Sequence, residues 1–239
     1  IDANAESKIG RLEGEGKTAM ILSSEKAVLG IIAVADTIKE NTIEAVKALQ
    51  KKGLQVFMIT GDNQRTAQAI AKQIGLGYRV LTGEELDRID DDKLKDKARH
   101  VDIYARVNPE HKVRILNALF SYNIVAMTGD GVNDAPALKR AHIGVAVGSG
   151  TDVAKEASDM IILDNNLNSI VSAVEEGRGI YNNIKKFINY LLSSNLGEVL
   201  IIFVAMLFAF HSNDDKIIIP LTALQILWIN LVTDGLPAL

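Results

Sequence analysis

Short apolar runs alternate along the first two-thirds of the chain with stretches whose apolar positions recur every three or four residues. The runs "AVLGIIAV", "QVFMIT", "NIVAMT", "IGVAV" and "MIIL" predict strands. The intervening "NTIEAVKALQKKG", "DNQRTAQAIAKQIG", "NPEHKVRILNALF", "NDAPALKRA" and "DVAKEA" predict helices. Alternation of this kind predicts βαβ units, and hence an α/β domain with a doubly wound, mainly parallel sheet. We expect it to cover residues 25–166. The polar stretch 82–100, "TGEELDRIDDDKLKDKARH", interrupts the alternation, and Thr82 and Glu85 have capping-box spacing, so it reads as a surface helical segment. Its Asp90, Asp91 and Asp92 read as a solvated face rather than a metal site.

The pattern changes near residue 186. Residues 187–210 ("FINYLLSSNLGEVLIIFVAMLFAF") and 217–239 ("IIIPLTALQILWINLVTDGLPAL") are long apolar runs separated by "HSNDDK". Each is long enough to cross a bilayer, which takes about 20 helical residues. Two transmembrane helices are therefore expected over 167–239, with 1–186 on the cytoplasmic side. A core hairpin of a soluble protein is the alternative. No proline occurs from Leu167 to Phe210, so one helix should run from the polar region into the apolar one.

Composition adds limits. The 239 residues carry a net charge of −4 with acids and bases interleaved, which gives no reason to expect a nucleic-acid partner. There is no cysteine, so thiolate metal sites and disulfides are excluded. A chain that starts with Ile and stops on an apolar run reads as a fragment.

Candidate chemistry sits at strand ends. "FMITGD" ends at Asp62 and "VAMTGD" at Asp130, and "TGDGVNDAPALK" crowds Asp130, Asn133 and Asp134 onto one turn. In open α/β sheets ligands gather at the carboxyl ends of strands, where helix N-termini favour phosphate and aspartates can hold a hard cation such as Mg²⁺. Asp62 and Asp130 are then expected to be neighbours. An ordinary helix cap is the competing role for any one of these acids, but it accounts for only one of the three in the second turn.

"DTIK" (36–39), "MITGDN" (58–63), "YARVNPEHK" (104–112), "MTGDGVNDAPALK" (127–139) and "GTDVAKEASDMIILDNN" (150–166) together resemble the P-type ion-transporting ATPases. Their phosphorylation domain belongs to the haloacid dehalogenase superfamily, and the resemblance runs from about residue 10 into both apolar segments, with "EGKTAMIL" (15–22) resembling the last piece of the family's nucleotide-binding domain, so that 1–24 is expected to be the end of that domain. It implies an aspartyl-phosphate mechanism using ATP and Mg²⁺. Asp130 would hold Mg²⁺, Asn133 and Asp134 would order the phosphoryl group, and Lys112 would neutralise charge on its oxygens. Thr60, Gly61, Asp62 and Arg106 would meet nucleotide or phosphate. The family's phosphorylated aspartate lies in a "DKTGT" motif, which these 239 residues lack. Asp36 is the one tempting substitute, but "DTIK" matches the family's hinge element, so the chain alone is expected to be inactive on ATP. The remaining pump polypeptide would be its partner, together with membrane lipid.

Within the apolar runs, Asn195 and Glu198 are three apart, and Asn230, Thr233 and Asp234 stand at i, i+3 and i+4, so each set shares a helix face. Ionisable residues inside a membrane mark ion pathways by default. Helix-to-helix polar glue is the alternative, which suits Asn and Thr better than two acids. Gly235 and Pro237 would open the helix beside Asp234. "SSNLGEV" and "LWINLVTDGLPA" resemble the fifth and sixth membrane helices of the calcium-pump branch, and an all-oxygen ligand set suits Ca²⁺. Sodium, potassium pumps, which typically carry an aspartate at the position of Asn230, and heavy-metal pumps, which "EGKTAMIL" through "ALQKKG" resembles, remain alternatives. So do a soluble phosphatase of the same superfamily and a membrane fragment with no activity of its own.

Overall fold

The structure, a computed structural model, describes residues 3–24, 28–35, 38–39, 41–208 and 220–235. It divides into two compact units, residues 1–172 and 173–239. In the first, α1 (Ala3–Gly14) precedes β1 (Thr18–Ser23) and β2 (Val28–Val34), which pair antiparallel as a two-stranded ribbon. Then come α2 (Thr42–Lys51), β3 (Met58–Ile59), α3 (Gln64–Gln73), β4 (Val80–Thr82), α4 (Gly83–Arg88), α5 (Asp91–Ala98), β5 (Ile103–Ala105) and α6 (Pro109–Phe120). The last α/β stretch is β6 (Ala126–Gly129), a 3-10 turn over Val132–Asp134, α7 (Ala135–Arg140), β7 (Ile143–Val147), α8 (Asp152–Glu156) and β8 (Met160–Ile162).

Every pairing among β3 to β8 is parallel, as the alternation predicts, but the strands form two sheets, ordered β3-β5-β4 and β6-β7-β8. The run "AVLGIIAV", expected in the parallel sheet, instead supplies β2 of the ribbon, whose ladder joins residues on both sides of the boundary expected at 24/25. Four residues separate β1 from β2, enough for a hairpin and far too few for the crossover a parallel neighbour needs.

Side-chain alternation decides what covers each face of the first sheet. Ile103 and Ala105 pack with Ala67 and Ala71 of α3, while Tyr104 between them packs with Leu86, Leu94, Ile115 and Leu119. The Tyr104 hydroxyl donates to the Ala98 carbonyl at 3.0 Å, and burial pushes its phenol well above the ordinary range. Stretch 82–100 is thus more than surface, because Leu86, Leu94 and Ala98 are wholly buried in this core. The predicted capping box is present, with the Glu85 N–H donating to Thr82 Oγ1 at 3.4 Å and the Thr82 N–H to Glu85 Oε2 at 2.8 Å. The acidic run has assigned partners: Asp90 accepts the Lys93 N–H, Asp91 pairs with Arg114 and Asp92 with Lys95. Helix α6 serves both sheets. Its Ile115, Ala118 and Leu119 belong to the core above, and its Leu116 packs with Met127, Ala137, Leu138 and Ala154.

The second unit holds most of α9 (Asn168–Leu207) and all of α10 (Ala223–Gly235). Helix α9 is unbroken for 40 residues, through Gly177 and Gly179, and is therefore about 60 Å long at ~1.5 Å per residue. It is the one helix among the described residues long and apolar enough to cross a membrane. Only 6% of its most apolar window is buried within the chain, the reverse of a core helix. Helix α10 has 13 residues, and 217–219 and 236–239 of the second apolar run lie outside the described residues.

Candidate functional site

Three strand ends carry the predicted polar residues. β3 runs into Thr60-Gly61-Asp62, β5 into Arg106 and β6 into Asp130. The first two loops are laced together: the Arg106 N–H donates to the Asp62 carbonyl at 2.8 Å and the Val107 N–H to the Thr60 carbonyl at 3.2 Å. Thr60 Oγ1 donates to Asp62 Oδ2 at 2.8 Å and accepts the Asp62 N–H at 3.1 Å. Asp62 is not the cap of α3. That role falls to Asn63, whose Oδ1 accepts the Thr66 N–H at 3.0 Å and whose Nδ2 donates to Glu13 of α1 at 3.2 Å. Arg106 has φ 53°, a left-handed backbone that costs a non-glycine residue roughly 1 kcal/mol or more. Its carbonyl lies so close to Gly83 that a Cβ there would stand 2.2 Å away, which only glycine avoids. Its side chain, 62% exposed, reaches Glu84 at 3.9 Å, a contact worth little in water.

Asp134 is the braced member of the second turn. Its Oδ1 receives the Lys112 ammonium at 2.5 Å, and its Oδ2 accepts the Asp130 and Gly131 N–H groups at 3.3 and 3.2 Å. Gly129 makes room, since a Cβ there would lie 2.5 Å from the Asp134 Cβ. Asp130 and Asn133, in contrast, are exposed, and no described residue donates to the Asp130 carboxylate. The Asp130 carbonyl accepts the Thr151 N–H at 2.8 Å, so the β7–α8 loop buttresses the turn from the other side. Neither Asp62 nor Asp130 is a helix cap. The Asp134 carboxylate is spent on the turn and on Lys112, and the Asp130 carboxylate is presented at the sheet's carboxyl edge.

Among the described residues no three acids or histidines converge into a self-sufficient metal site. A cavity of about 600 Å³ is lined by residues of α1 and β2 such as Lys8, Arg11 and Leu29 and by none of the predicted site residues. Beside Asp62 lies a space of only about 40 Å³, too small for a nucleotide.

In the second unit, taken alone, Glu198 is 9% exposed on the apolar part of α9. With the Asn230 amide oriented by its surroundings, its nitrogen donates to Glu198 Oε1 and to Asn195 Oδ1, each at 3.1 Å, and lies 3.3 Å from Glu198 Oε2. Asn195 and Glu198 of α9 and Asn230 of α10 therefore meet. Thr233 and Asp234 follow on the α10 backbone, but their side chains, like Pro237 and Asp36, lie outside the described residues.

With this geometry in hand, comparison with known proteins is informative. Residues 2–142, more than half the chain, match the haloacid dehalogenase-like hydrolases, and 111–174 match a second group of the same description. The chain belongs to the haloacid dehalogenase-like hydrolase family. It is 48% identical over 231 residues to Calcium-transporting ATPase 1 of Lactococcus lactis subsp. lactis (strain IL1403), covering 94% of this chain and 26% of that protein. It is 46% identical over 231 residues to the calcium-transporting ATPase of Bacillus subtilis (strain 168), covering 94% of this chain and 25% of the relative. The chain spans about a quarter of the length of these curated relatives. Among solved structures it resembles a zinc-transporting PIB-type ATPase in its E2.Pi state, at TM-score 0.66 and 31% identity over 99% of this chain and 32% of that one.

For a haloacid dehalogenase-like chain, the strand-end acids fall where the fold gathers ligands. Sequence reasoning missed the residues around Lys112. His111 is 7% exposed and is fixed from two sides, by Asn108 and by Asp87. Arg114 reaches Asp91 and the carbonyls of Leu86 and Ile89. The Asn108–His111 spacing, that of a capping pair, was the available signal.

Proposed function

We propose that the chain is the phosphorylation-domain and membrane-helix portion of an ATP-driven Ca²⁺ pump working through an aspartyl phosphate. The nucleophilic aspartate belongs to a part of the pump outside these residues. The observation that carries the reading is the buried Glu198 carboxylate, met by the Asn195 and Asn230 amides on helices too apolar to hold an acid without purpose. An all-oxygen set of this kind fits a hard cation, and a chain without cysteine offers no thiolate for a soft one. Thr233 and Asp234 would complete this chain's share of the ligands, and Gly235 and Pro237 would free carbonyls beside them.

At the phosphoryl site Asp130 fits Mg²⁺, which is commonly held by one or two carboxylates, waters and phosphate oxygens; its carboxylate is exposed and receives no donor from the described residues. Bound there, Mg²⁺ would supply charge neutralisation to the phosphoryl group. Lys112 would add a second positive charge, held in place by Asp134. Asn133 would reach the phosphoryl group from the same turn, and the Thr60–Asp62 loop with Arg106 would face nucleotide or phosphate. ATP, Mg²⁺, Ca²⁺, membrane lipid and the remaining pump polypeptide are thus its partners.

The test uses the full-length parent pump in lipid vesicles, with phosphoenzyme formed from labelled ATP. Glu198→Gln should raise the Ca²⁺ concentration needed for half-maximal phosphorylation by at least about tenfold, through loss of an anionic ligand. Asn230→Ala and Asn195→Ala should have smaller effects. Phosphorylation indifferent to Ca²⁺ but driven by Zn²⁺ or Na⁺ in the unmutated pump would overturn the calcium reading.

A further inference from the structure

We propose that His111, tethered by Asp87, is a positioning residue that fixes the rotation of α6 about its own axis and thereby aims Lys112 at the phosphoryl site. The inference rests on the reading of Lys112 given above. His111 Nδ1 accepts the Asn108 N–H at 3.3 Å, Asn108 Oδ1 accepts the His111 N–H at 2.8 Å, and His111 Nε2 lies 2.8 Å from Asp87 Oδ1. With Nδ1 committed as an acceptor, Nε2 must carry the proton and donate it to Asp87, so one tautomer satisfies both ends. The ring also sits against Gly83, where a Cβ would come within 3.2 Å of its Cε1.

His111 and Arg114 are three apart on α6 and both grip the α4–α5 segment. Arg114 Nε donates to Asp91 at 2.6 Å, and its terminal nitrogens donate to the Leu86 and Ile89 carbonyls. Lys112 comes one residue after His111, about 100° around the helix, and points instead to Asp134. The α4–α5 segment therefore clamps one side of α6 while the lysine projects from another. A roll of about 10° would move a group at the helix's outer radius of ~6 Å by about 1 Å. Misplacement on that scale is enough to cost on the order of 100-fold in rate. Asp87 is 69% exposed, so the tether can be cut from outside without opening the core.

The experiment measures phosphoenzyme formation from labelled ATP in the full-length parent pump. His111→Ala should lower the maximal rate roughly 10- to 100-fold with the ATP concentration for half-maximal rate changed less than about twofold. Asp87→Ala, which spares the core, should lower it several-fold in the same way, and Asp87→Glu should restore most of the loss. In a Lys112→Ala background His111→Ala should add less than about a twofold loss, because its effect passes through the lysine. Unchanged maximal rates in Asp87→Ala, or an undiminished His111→Ala loss in the Lys112→Ala background, would overturn the inference while leaving the pump reading intact. A Lys112→Ala pump that phosphorylates normally would sink both.

Discussion

Removing the Asp134 carboxylate exposes how the Asp130–Asp134 turn is held. In Asp134→Ala the Lys112 ammonium, 15% exposed, loses the one anionic partner it has among the described residues, itself 12% exposed. Breaking one side of a buried ion pair costs about 3–5 kcal/mol, because the remaining charge stays desolvated. The residual exposure of Lys112 places the expected cost at the low end, near 3 kcal/mol. The Asp130 and Gly131 N–H groups lose their acceptor as well, but they lie at an exposed to half-exposed turn where water can replace it. For a folding unit of this size 3 kcal/mol corresponds to a melting point lower by about 6–12 °C. Scanning calorimetry of the chain in detergent micelles would measure it. The double variant Lys112→Met with Asp134→Leu removes both charges and should cost less than the single one. A single variant losing under about 1 kcal/mol, or a double variant at least as damaged, would refute the account.

Asp102, gripped by Arg79 at 2.9 Å, gives a pH prediction: the hydrogen-bonded guanidinium holds its carboxyl below the usual carboxylate range. A depressed folded value stabilises above the unfolded one, about 4, and is lost as pH falls through the folded value. Asp102→Asn should lower stability at pH 6–8, where the ion pair is fully formed, and flatten the acid limb below about pH 4; parallel acid limbs would count against it. Leu86→Ala, at a wholly buried position, should cost about 2–5 kcal/mol by chemical denaturation, against under ~0.5 for Leu29→Ala at a position 65% exposed; equal losses would contradict the core described. In the parent pump, Asp130→Asn should suppress phosphorylation by ATP while leaving Ca²⁺ binding by equilibrium dialysis largely unchanged. Normal phosphoenzyme levels in that variant would remove Asp130 from the metal site.

The parallel α/β architecture was legible because strand and helix periods alternate on both sides of the 82–100 stretch. The division into two sheets was not. Strands of two to five residues carry too little pattern to reveal which neighbour each one pairs with. β2 misled for a related reason: its run of seven apolar and small residues reads as a buried parallel strand, yet five of β1 and β2's large apolar side chains are exposed in the ribbon. At the site, residue types at strand ends pointed to Asp62 and Asp130, the family resemblance to Lys112, and the shared helix faces to Asn195, Glu198 and Asn230. What periodicity could not reveal was which acid turns inward. Asp134 and Asp130 are chemically alike, and the Gly129 gap beside Asp134 separates their roles. Nor could a polar segment such as 82–100 announce that two leucines would anchor it in the core.

No backbone ladder joins the two three-stranded sheets among the described residues, yet both lean on α6, with Ile59 and Val125 touching both cores. Hydrogen bonds are directional and break on sliding, whereas apolar contacts tolerate small slips. Each sheet is therefore stiff within itself, and the seam between them is the compliant direction of the domain. The Thr60–Asp62 loop rides on one plate and the Asp130 turn on the other. The seam thus offers a route by which the gap between these loops could adjust to the charge and size of what lies in it, with no strand leaving its ladder.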